Sequence, residues 1–455
     1  MMKWYSVIVG LLMVCTTAMG QEKQITFSPS GHDLDNNDNF SPDGKWLCYD
    51  TRETVGAGIQ NGQVIGMVNI DTGEEVVLRQ VPDSIIGLKG TEPGPAPGIG
   101  AVSFNHARAE VVFIHGPPLS EVPERGPYDF HNRTGARVSI DEPGVRHWVD
   151  RRDIATDRDT TPGAHRGGTH RHEYSWNGNR IGFTYNDFLQ KEYDRTVGYM
   201  EPHPDAPEGV SHYFALMVPV VPIGTSKPGE IEKANGDSWV GRDGRMRAFI
   251  GKVRNADGES YEESLFVADV PLDVDITTAD AGSATRFPTI PEGITIRRLT
   301  QTWAGGIVRG TWDGDRIAYF AKDANDKSQV FIIPSDGSSA PVQATTFPEG
   351  AAGGLRWHSS GNSIVCFSNN GVATTCVMPG PLFSKTVFLT GQGAGTPLSK
   401  LAISWDGTML AFNRPVPTKL KDGTIAKNYL GQDFVQIFTL PFPDANNDGV
   451  ADGIE

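Results

Sequence analysis

Three histidines lie within eight residues in GAHRGGTHRHEYSW, the segment of residues 163–176. His170 and His172 are separated by one residue, and alternate residues of a β-strand face the same side. We therefore expect both imidazoles, with His165 nearby, on one surface. Imidazole binds divalent metals and also transfers protons near neutral pH. The segment predicts either a metal site or a proton-transfer site.

Arginine and further histidines are concentrated in the same part of the chain. Nine of the eleven histidines lie between residues 106 and 212, and residues 121–200 contain eleven arginines, one lysine and thirteen acidic residues. This segment is nearly neutral in a protein whose formal net charge is −15. Guanidinium groups bind carboxylate and sulfate in a bidentate manner. The candidates for such a site are Arg133, Arg166, Arg171 and Arg195.

A cluster of His, Tyr and Arg side chains suits β-elimination on a uronate-containing polysaccharide. In this reaction a cation neutralises the uronate carboxylate, a base removes the proton at C5, and an acid protonates the departing glycosidic oxygen. The residues predicted to fill these roles are His131, His170, Tyr185, Tyr213, Arg166 and Arg195. A glycoside hydrolase would instead need two facing carboxylates. Asp187 and Glu173 are available, but strand alternation should turn Glu173 away from His170.

A metal site is the alternative use of the same histidines. His170 and His172, with either His165 or His131, can offer three imidazoles to a divalent ion such as zinc, manganese or calcium. In a third interpretation these histidines only hydrogen-bond to backbone at a sheet edge and take no part in chemistry.

The elements that must position these residues follow from a sevenfold repeat. Each copy has a short strand, a turn that usually contains Asp-Gly or Asn-Gly, and an alternating apolar strand. The copies occupy residues 40–52, 104–116, 174–187, 240–253, 310–323, 357–370 and 403–415. Strand-rich self-similarity at roughly 40–50 residues is typical of β-propellers. The sequence predicts an all-β, seven-bladed β-propeller over residues 21–443, with a signal peptide at 1–20 and an acidic tail at 444–455.

The repeat also predicts which residues share a face. The inner strand of a blade begins, and the next strand ends, on the face opposite the Asp-Gly turns. We call this the open face, and we expect the long insertions of the first four repeats to lie there, where loops carry function. His170, His172 and Tyr185 are expected on it. The segment GHDLDNNDN (31–39) should also reach this face, as a calcium ligand set or as a cap of blade 1.

The termini and the cysteines carry further predictions. A lysine followed by an apolar run and Ala18-Met19-Gly20 indicates a signal peptide, and hence a secreted or periplasmic protein. The tail DANNDGVADGIE has the spacing of a calcium loop with ligands Asp444, Asn446, Asp448 and Glu455, although a disordered acidic end has the same composition. Cys366 and Cys376 flank a predicted hairpin turn, and either a disulfide or two buried thiols fits them.

Several motifs resemble known families. FSPDGKWLCYDTR and YSWNGNRIGFTYND resemble the repeats of TolB-like propellers. GHDLDNNDNFSPDGKWLCYDTR, VVFIHGP, YDFHNRTG and TPGAHRGGTHRHEYSWNGNRIGFTYND together resemble a bacterial propeller family known mainly as a domain of unknown function, over most of residues 25–260. His170 and His172 are similar to the Gln-x-x-His-x-His metal motif of oligogalacturonate lyases, but Gly167 stands where the glutamine would be. Ulvan lyases are also seven-bladed, and this resemblance implies two His, a Tyr and an Arg on one face.

These observations favour a secreted polysaccharide lyase that acts on an acidic, ulvan-like or pectin-like polysaccharide. The alternatives are a non-catalytic propeller that binds glycan or protein, and a metal-dependent hydrolase. The acidic charge argues against nucleic acid as a partner, and no apolar run after the N-terminus is long enough for membrane insertion. A monomer is expected.

Overall fold

Each predicted repeat forms the two inner strands of one propeller blade. The computed structural model describes residues 21–52, 58–81, 97–393, 395 and 398–454. The predicted signal peptide and Glu455 lie outside the described residues. Seven small antiparallel sheets follow one another along the chain, which confirms the all-β, seven-bladed β-propeller.

The helical segments are few and short. The strands, numbered in chain order, are β1 (Lys23–Gln24), β2 (Trp46–Asp50), β3 (Val64–Asn69), β4 (Glu75–Gln80), β5 (Ile99–Phe104), β6 (Glu110–His115), β7 (Thr134–Ser139), β8 (Arg146–Trp148), β9 (Gly168–Tyr174), β10 (Ile181–Asn186), β11 (Thr196–Pro202), β12 (His212–Leu216), β13 (Ile231–Val240), β14 (Met246–Arg254), β15 (Tyr261–Asp269), β16 (Thr295–Arg298), β17 (Gly305–Gly310), β18 (Arg316–Lys322), β19 (Ser328–Pro334), β20 (Val342–Gln343), β21 (Arg356–Trp357), β22 (Ser363–Ser368), β23 (Gly371–Cys376), β24 (Thr386–Phe388), β25 (Ser399–Ile403), β26 (Met409–Val416), β27 (Thr418–Lys419), β28 (Ile425–Ala426) and β29 (Phe434–Pro441). Short helices cover Ile59–Asn61, Leu119–Glu121, Val122–Arg125 and Ile276–Thr278.

The ring is closed by the N-terminal strand. Blades 2 to 6 each contain four consecutive strands, from β5–β8 to β21–β24. Blade 7 has the order β25-β26-β29-β1, so β1 forms its outer edge and joins the two ends of the chain. Blade 1 consists of β2-β3-β4, and residues 33–40 take its inner position through single bridges, Asp33 to Asp50 and Phe40 to Leu47.

Aromatic side chains fill the channel at the face that carries the Asp-Gly turns. Three repeats have tryptophan just before the turn, at Trp176, Trp312 and Trp405, and His106 takes the same position in blade 2. The Trp176 ring centroid lies 3.5 Å from that of Trp312 and 3.9 Å from that of Trp405, and His106 lies 3.7 Å from Trp405. Because these residues come from blades 2, 3, 5 and 7, they meet across the axis at this end of the channel.

The insertions divide between the two faces. Residues 116–133 and 149–167 lie on the open face, as predicted. The insertion of blade 4, residues 270–294, begins at the opposite end, because it joins β15 to β16. It packs along the outer edge of blade 3, where the Phe287 ring stacks on Tyr193 at 3.9 Å. The expectation that every long insertion lies on the open face is therefore wrong for blade 4.

The three cysteines in the described part of the chain, Cys48, Cys366 and Cys376, are buried free thiols. β22 and β23 form the predicted hairpin, with Asn369 and Asn370 in left-handed conformation at its two-residue turn. Its register pairs Cys366 with Ala373 and Cys376 with Ser363, so the two cysteines are not opposite each other. Among the described residues, no helix has the length and apolar character required to cross a bilayer.

Candidate active site in the central channel

A left-handed residue interrupts the inner strand of five blades. Each of β5, β9, β13, β17 and β25 contains a bulge, and within it one residue has a φ between 53° and 74°. These residues are Ala101, Arg171, Gly236, Gly306 and Lys400. Positive φ costs a residue with a Cβ about 1–2 kcal/mol. Such strain is concentrated at functional sites, and both Arg171 and Lys400 reach the channel.

The bulge at Arg171 separates the two histidines of the His-x-His pair. His170 lines the channel, whereas His172 is fully buried and its Nε2 lies 3.0 Å from Oγ1 of Thr169. Glu173 lines the channel together with His170. The expectations that His170 and His172 share one side, and that Glu173 faces away from His170, are therefore wrong. The extra residue in β9 shifts the strand alternation by one position.

The open half of the channel is a cavity of about 730 Å³, hereafter the channel cavity. Cations outnumber carboxylates in its wall. The cations are Arg52, Arg133, Arg171, Arg195, Arg247, Arg309 and Lys400; the acids are Asp35, Glu173, Asp237 and Glu263. Asp35 and Asn37 confirm that the 31–39 segment reaches this face. The acidic protein thus has an excess of positive charge where its channel opens.

Four of these seven cations are paired with carboxylates within the protein. Arg52 Nη1 lies 2.5 Å from Oδ2 of Asp35, while Arg171 Nη2 (2.9 Å) and Lys400 Nζ both contact Oδ1. Burial alone would raise the pKa of Asp35, but the three cations hold it well below its usual range. Arg247 similarly pairs with Asp237 at 2.6 Å and with Glu173 at 3.0 Å.

Arg133 and Arg195 have no carboxylate partner among the described residues. Arg133 is buried; its Nη1 donates to the Tyr128 hydroxyl at 2.8 Å, and its Nε and Nη2 have no partner there. Arg195 Nε donates to Oδ1 of Asn186 at 3.0 Å. Burial lowers the pKa of both guanidinium groups, although they remain cations at neutral pH. A buried cation without a counter-ion is costly, and a bound anion would remove that cost.

His170 lies beside these unpaired arginines. Burial is the main cause that holds the pKa of His170 well below 6.5, and the charges of Arg133, Arg195 and Arg171 lower it further. The imidazole is therefore neutral at pH 7 and can accept a proton. Its Nδ1 lies 3.4 Å from Oγ1 of Thr184, the one side-chain contact made by the ring among the described residues.

Two aromatic residues of the loop 126–132 complete this corner of the channel cavity. Tyr128 presents its hydroxyl next to Arg133. Phe130 is 58% exposed, and the guanidinium carbons of Arg133 and Arg195 lie 5.3 and 5.8 Å from its ring centroid. Asn132 holds the loop, because its Nδ2 donates to three successive backbone carbonyls, those of residues 125–127.

Other predicted residues lie outside the channel cavity. Tyr185 and Arg166 are buried, and both bind Oδ2 of Asp187, at 2.9 and 2.5 Å. The Tyr185 pKa is raised well above its usual value, mainly by burial. His165 is also buried, with its Nε2 3.4 Å from Oδ2 of Asp150. The structure brings these groups together as an internal network of blade 3.

Two further predicted residues belong to separate surfaces. His131 pairs with Asp129 at 2.7 Å and does not line the channel cavity, although its neighbour Phe130 does. Tyr213 packs against Gly163 and borders a different cleft, together with Arg158 and Thr277. Of the six predicted catalytic residues, the channel cavity contains His170 and Arg195.

The predicted metal ligands that the structure describes, a set that leaves out Glu455, are not grouped as a metal centre. Among the described residues, no group of three or more His, Cys, Asp or Glu side chains is arranged to hold an ion. In the tail, Asp444 accepts the backbone N–H groups of Asp448 and Gly449, and Asp448 accepts that of Val450. Asn446 donates to Asp448 at 3.1 Å. The tail is folded, because Val450 and Ile454 are buried against blades 6 and 7.

Sequence reasoning missed several cavity residues. They are Arg52, Tyr128, Phe130, Arg247, Arg309 and Lys400. Tyr128 and Phe130 lie in the YDFHNRTG motif, whose aromatic positions were available signals. The cavity cations that lie far from the histidine segment in sequence could not be predicted from local sequence. Each reaches the channel cavity only because of the position of its blade in the ring.

Comparison with known proteins gives both sequence and structural relatives. A family model described as "Protein of unknown function (DUF3748)" matches residues 98–211. The Escherichia coli K12 protein named "Uncharacterized protein YidR" is 34% identical over 423 residues, which cover 86% of this chain and 94% of that protein. The crystal structure of an oligogalacturonate lyase from Vibrio parahaemolyticus has a TM-score of 0.53 at 9% identity, covering 94% and 96% of the two chains. TolB from Acinetobacter baumannii has a TM-score of 0.36 at 10% identity, with coverage of 77% and 65%.

Proposed function

The chain belongs to the YidR family, and we propose that it is a lyase that cleaves a uronate-containing polysaccharide or oligosaccharide by β-elimination in the channel cavity. One observation carries the proposal: His170, a half-buried imidazole that is neutral at pH 7, lies beside the guanidinium groups of Arg133 and Arg195, neither of which has a carboxylate partner among the described residues. A base beside cations that can bind an anion is the arrangement that removal of a proton next to a carboxylate requires.

Each group has a role in the reaction. Arg133 and Arg195 bind the uronate carboxylate and stabilise the negative charge that develops on it when the proton at C5 is removed. His170 accepts that proton. The C5–H electron pair forms the C4–C5 double bond, the bond from C4 to the glycosidic oxygen breaks, and Tyr128 donates its proton to that oxygen. Arg133 stabilises the resulting phenolate through the contact that it already makes with the Tyr128 hydroxyl.

Substrate binding would also activate the base. In the free protein, the positive charges of Arg133 and Arg195 lower the pKa of His170. A carboxylate between them cancels much of this field and raises the basicity of the imidazole. Proton abstraction is thereby favoured when the substrate is in place.

Two further findings agree with the proposal. The Vibrio protein that shares this fold is called an oligogalacturonate lyase, although its 9% identity carries the fold alone. The exposed ring of Phe130 offers a sugar a flat surface next to the anion site. We also propose that the protein acts outside the cytoplasm, because residues 1–20 have the pattern of a signal peptide.

A substrate screen tests the function. The purified protein is mixed with ulvan, pectate, alginate and glycosaminoglycans, and the ultraviolet absorbance of the unsaturated product is followed. We expect absorbance to rise with at least one of them. Binding by calorimetry without any such product would contradict the lyase and favour a glycan-binding propeller.

A further inference from the structure

A second cavity of about 380 Å³ lies next to the channel cavity, on the other side of Arg133. Arg133 lines both cavities, and loop 126–132 begins at the second one and reaches the first. Pro117, Pro118 and Trp148 give the second cavity an apolar wall. Arg151 and Arg152 lie on its polar side.

Two of the three acidic residues around this second cavity are paired with arginines, which leaves the carboxylate of Asp150 against Arg133, Arg151 and Arg152. Glu121 contacts Arg125, Asp153 pairs with Arg158 at 2.7 Å, and Asp150 accepts the Thr169 hydroxyl at 2.8 Å. Among the described residues, neither Arg151 nor Arg152 has a carboxylate partner. The second cavity therefore keeps an uncompensated positive charge.

Arg152 is the stronger indication of a ligand. It is nine-tenths buried, and its Nε and Nη2 donate to the backbone carbonyls of Gly167 and His131 at 3.1 and 3.3 Å. Its Nη1 is buried and has no partner within the described residues. Burial lowers the pKa of Arg152 to about 10, so the group is still a cation at pH 7. A bound anion would supply the missing counter-charge.

We propose that the second cavity is an additional anion subsite, which binds the carboxylate or sulfate of the sugar unit next to the one in the channel cavity. This inference rests on the proposed function and narrows it. Arg133 separates the two anions, Arg151 and Arg152 bind the second, and Trp148 contacts the apolar face of its sugar ring. The substrate class is then an oligosaccharide with anionic groups on neighbouring units.

Calorimetry on variants tests this subsite. Galacturonate and digalacturonate are titrated into the full chain and into Arg151→Ala, Arg152→Met and the control Arg125→Ala. Arg125 borders the same cavity but is paired with Glu121. We expect the dimer to bind the wild type about tenfold more tightly than the monomer, and each of the first two variants to lose most of this ratio. The control should keep it.

A second arm distinguishes the two anions. Ulvan tetrasaccharide is titrated before and after chemical desulfation. A loss of affinity on desulfation that is absent in Arg151→Ala and Arg152→Met would assign sulfate. Loss of the affinity ratio between digalacturonate and galacturonate in both variants would assign carboxylate. If Arg151→Ala and Arg152→Met are folded and keep the wild-type affinity ratios for both the galacturonates and the ulvan tetrasaccharide, the proposed subsite is wrong. Tight binding without unsaturated product would instead contradict the lyase and leave the subsite supported.

Discussion

Arg171 and Lys400 contact the same oxygen atom, Oδ1 of Asp35, although they belong to blades 3 and 7. Both have a left-handed backbone, with φ of 58° and 53°. The bulge at Arg171 is also what turns His170 into the channel cavity. One carboxylate of blade 1 therefore anchors the strained backbone next to the proposed base.

Glycine and alanine at position 171 measure this strain. Both variants lose the contact with Asp35. The difference between their free energies of unfolding therefore reports the backbone strain alone. We expect Arg171→Gly to be more stable than Arg171→Ala by about 0.5–1 kcal/mol, because relief of positive φ outweighs the entropy cost of glycine. Urea unfolding gives the free energies.

The control for this comparison is Arg137, which lies in the regular strand β7 and pairs with Glu110 at 2.6 Å. There the order should reverse, with Arg137→Gly less stable than Arg137→Ala by about 0.5–1 kcal/mol. The same order at both positions would contradict a strained bulge.

Replacing Arg133 should reduce substrate binding without destabilising the protein. The side chain is buried and has no counter-ion among the described residues, so Arg133→Met removes a desolvation cost. We expect an unchanged or higher melting temperature and at least about a tenfold loss in kcat/KM.

Arg166 provides the matched control. It is equally buried, but it is paired with Asp187 at 2.5 Å. Removal of one partner of a buried pair costs about 3–5 kcal/mol, so Arg166→Met should unfold at a much lower temperature. If Arg133→Met were destabilised to the same degree, Arg133 would be a structural residue.

His172 should make stability depend on pH. Burial is the main cause that lowers its folded-state pKa to about 4, against an ordinary value of 6.5. Between these values the unfolded chain binds the proton and the folded chain does not, so the stabilisation is full above pH 6.5 and falls as pH drops to 4. The contribution is up to about 3 kcal/mol.

Urea unfolding at pH 7 and at pH 4.5 measures this effect in the wild type and in His172→Gln. The variant should lose less stability on acidification. Asp33, whose pKa is raised to about 6 chiefly by burial, acts in the opposite direction but is common to both proteins. If the wild type and His172→Gln lost the same stability between pH 7 and pH 4.5, His172 would not be a source of the pH dependence.

The pH profile of activity should show the coupling between His170 and the arginines. The acid limb of kcat/KM reports the free protein and should lie well below pH 6.5. The acid limb of kcat should lie at higher pH, because the bound carboxylate cancels the field of Arg133 and Arg195. Arg195→Ala should move the acid limb of kcat/KM to higher pH, because one of the charges that lower the pKa of His170 is removed. An unchanged pH profile in this variant would exclude the coupling between His170 and Arg195.

The sevenfold repeat was sufficient to predict the blades, because each copy contains a complete strand, turn and strand. It also placed His170 on the open face, whereas Arg195 was predicted from residue type. The prediction that His172 faces the same side as His170 was wrong because of the bulge at Arg171. The bulge depends on the backbone conformation of that one residue, which strand periodicity does not reveal. Tyr185 and Arg166 were predicted from residue type, which does not reveal that Asp187 pairs with both of them inside blade 3.

Other charged residues of the channel cavity were beyond local sequence reasoning for another reason. Asp35, Arg247 and Lys400 are distant in sequence, and the ring closure brings them to one cavity. Their pairing decides which cations remain free for a ligand, and pairing is a property of the folded ring. Arginine content alone therefore predicted an anion site but did not distinguish Arg133 from Arg166.

The most direct test concerns His170 as the base. The rate of unsaturated product formation is measured by ultraviolet absorbance for the wild type, for His170→Ala and for the control His172→Gln, with substrate binding measured in parallel by calorimetry. We predict that His170→Ala binds substrate but loses about 10²–10⁴-fold in kcat, while His172→Gln stays within a few-fold of the wild type. A His170→Ala protein that forms product at nearly the wild-type rate would contradict the account.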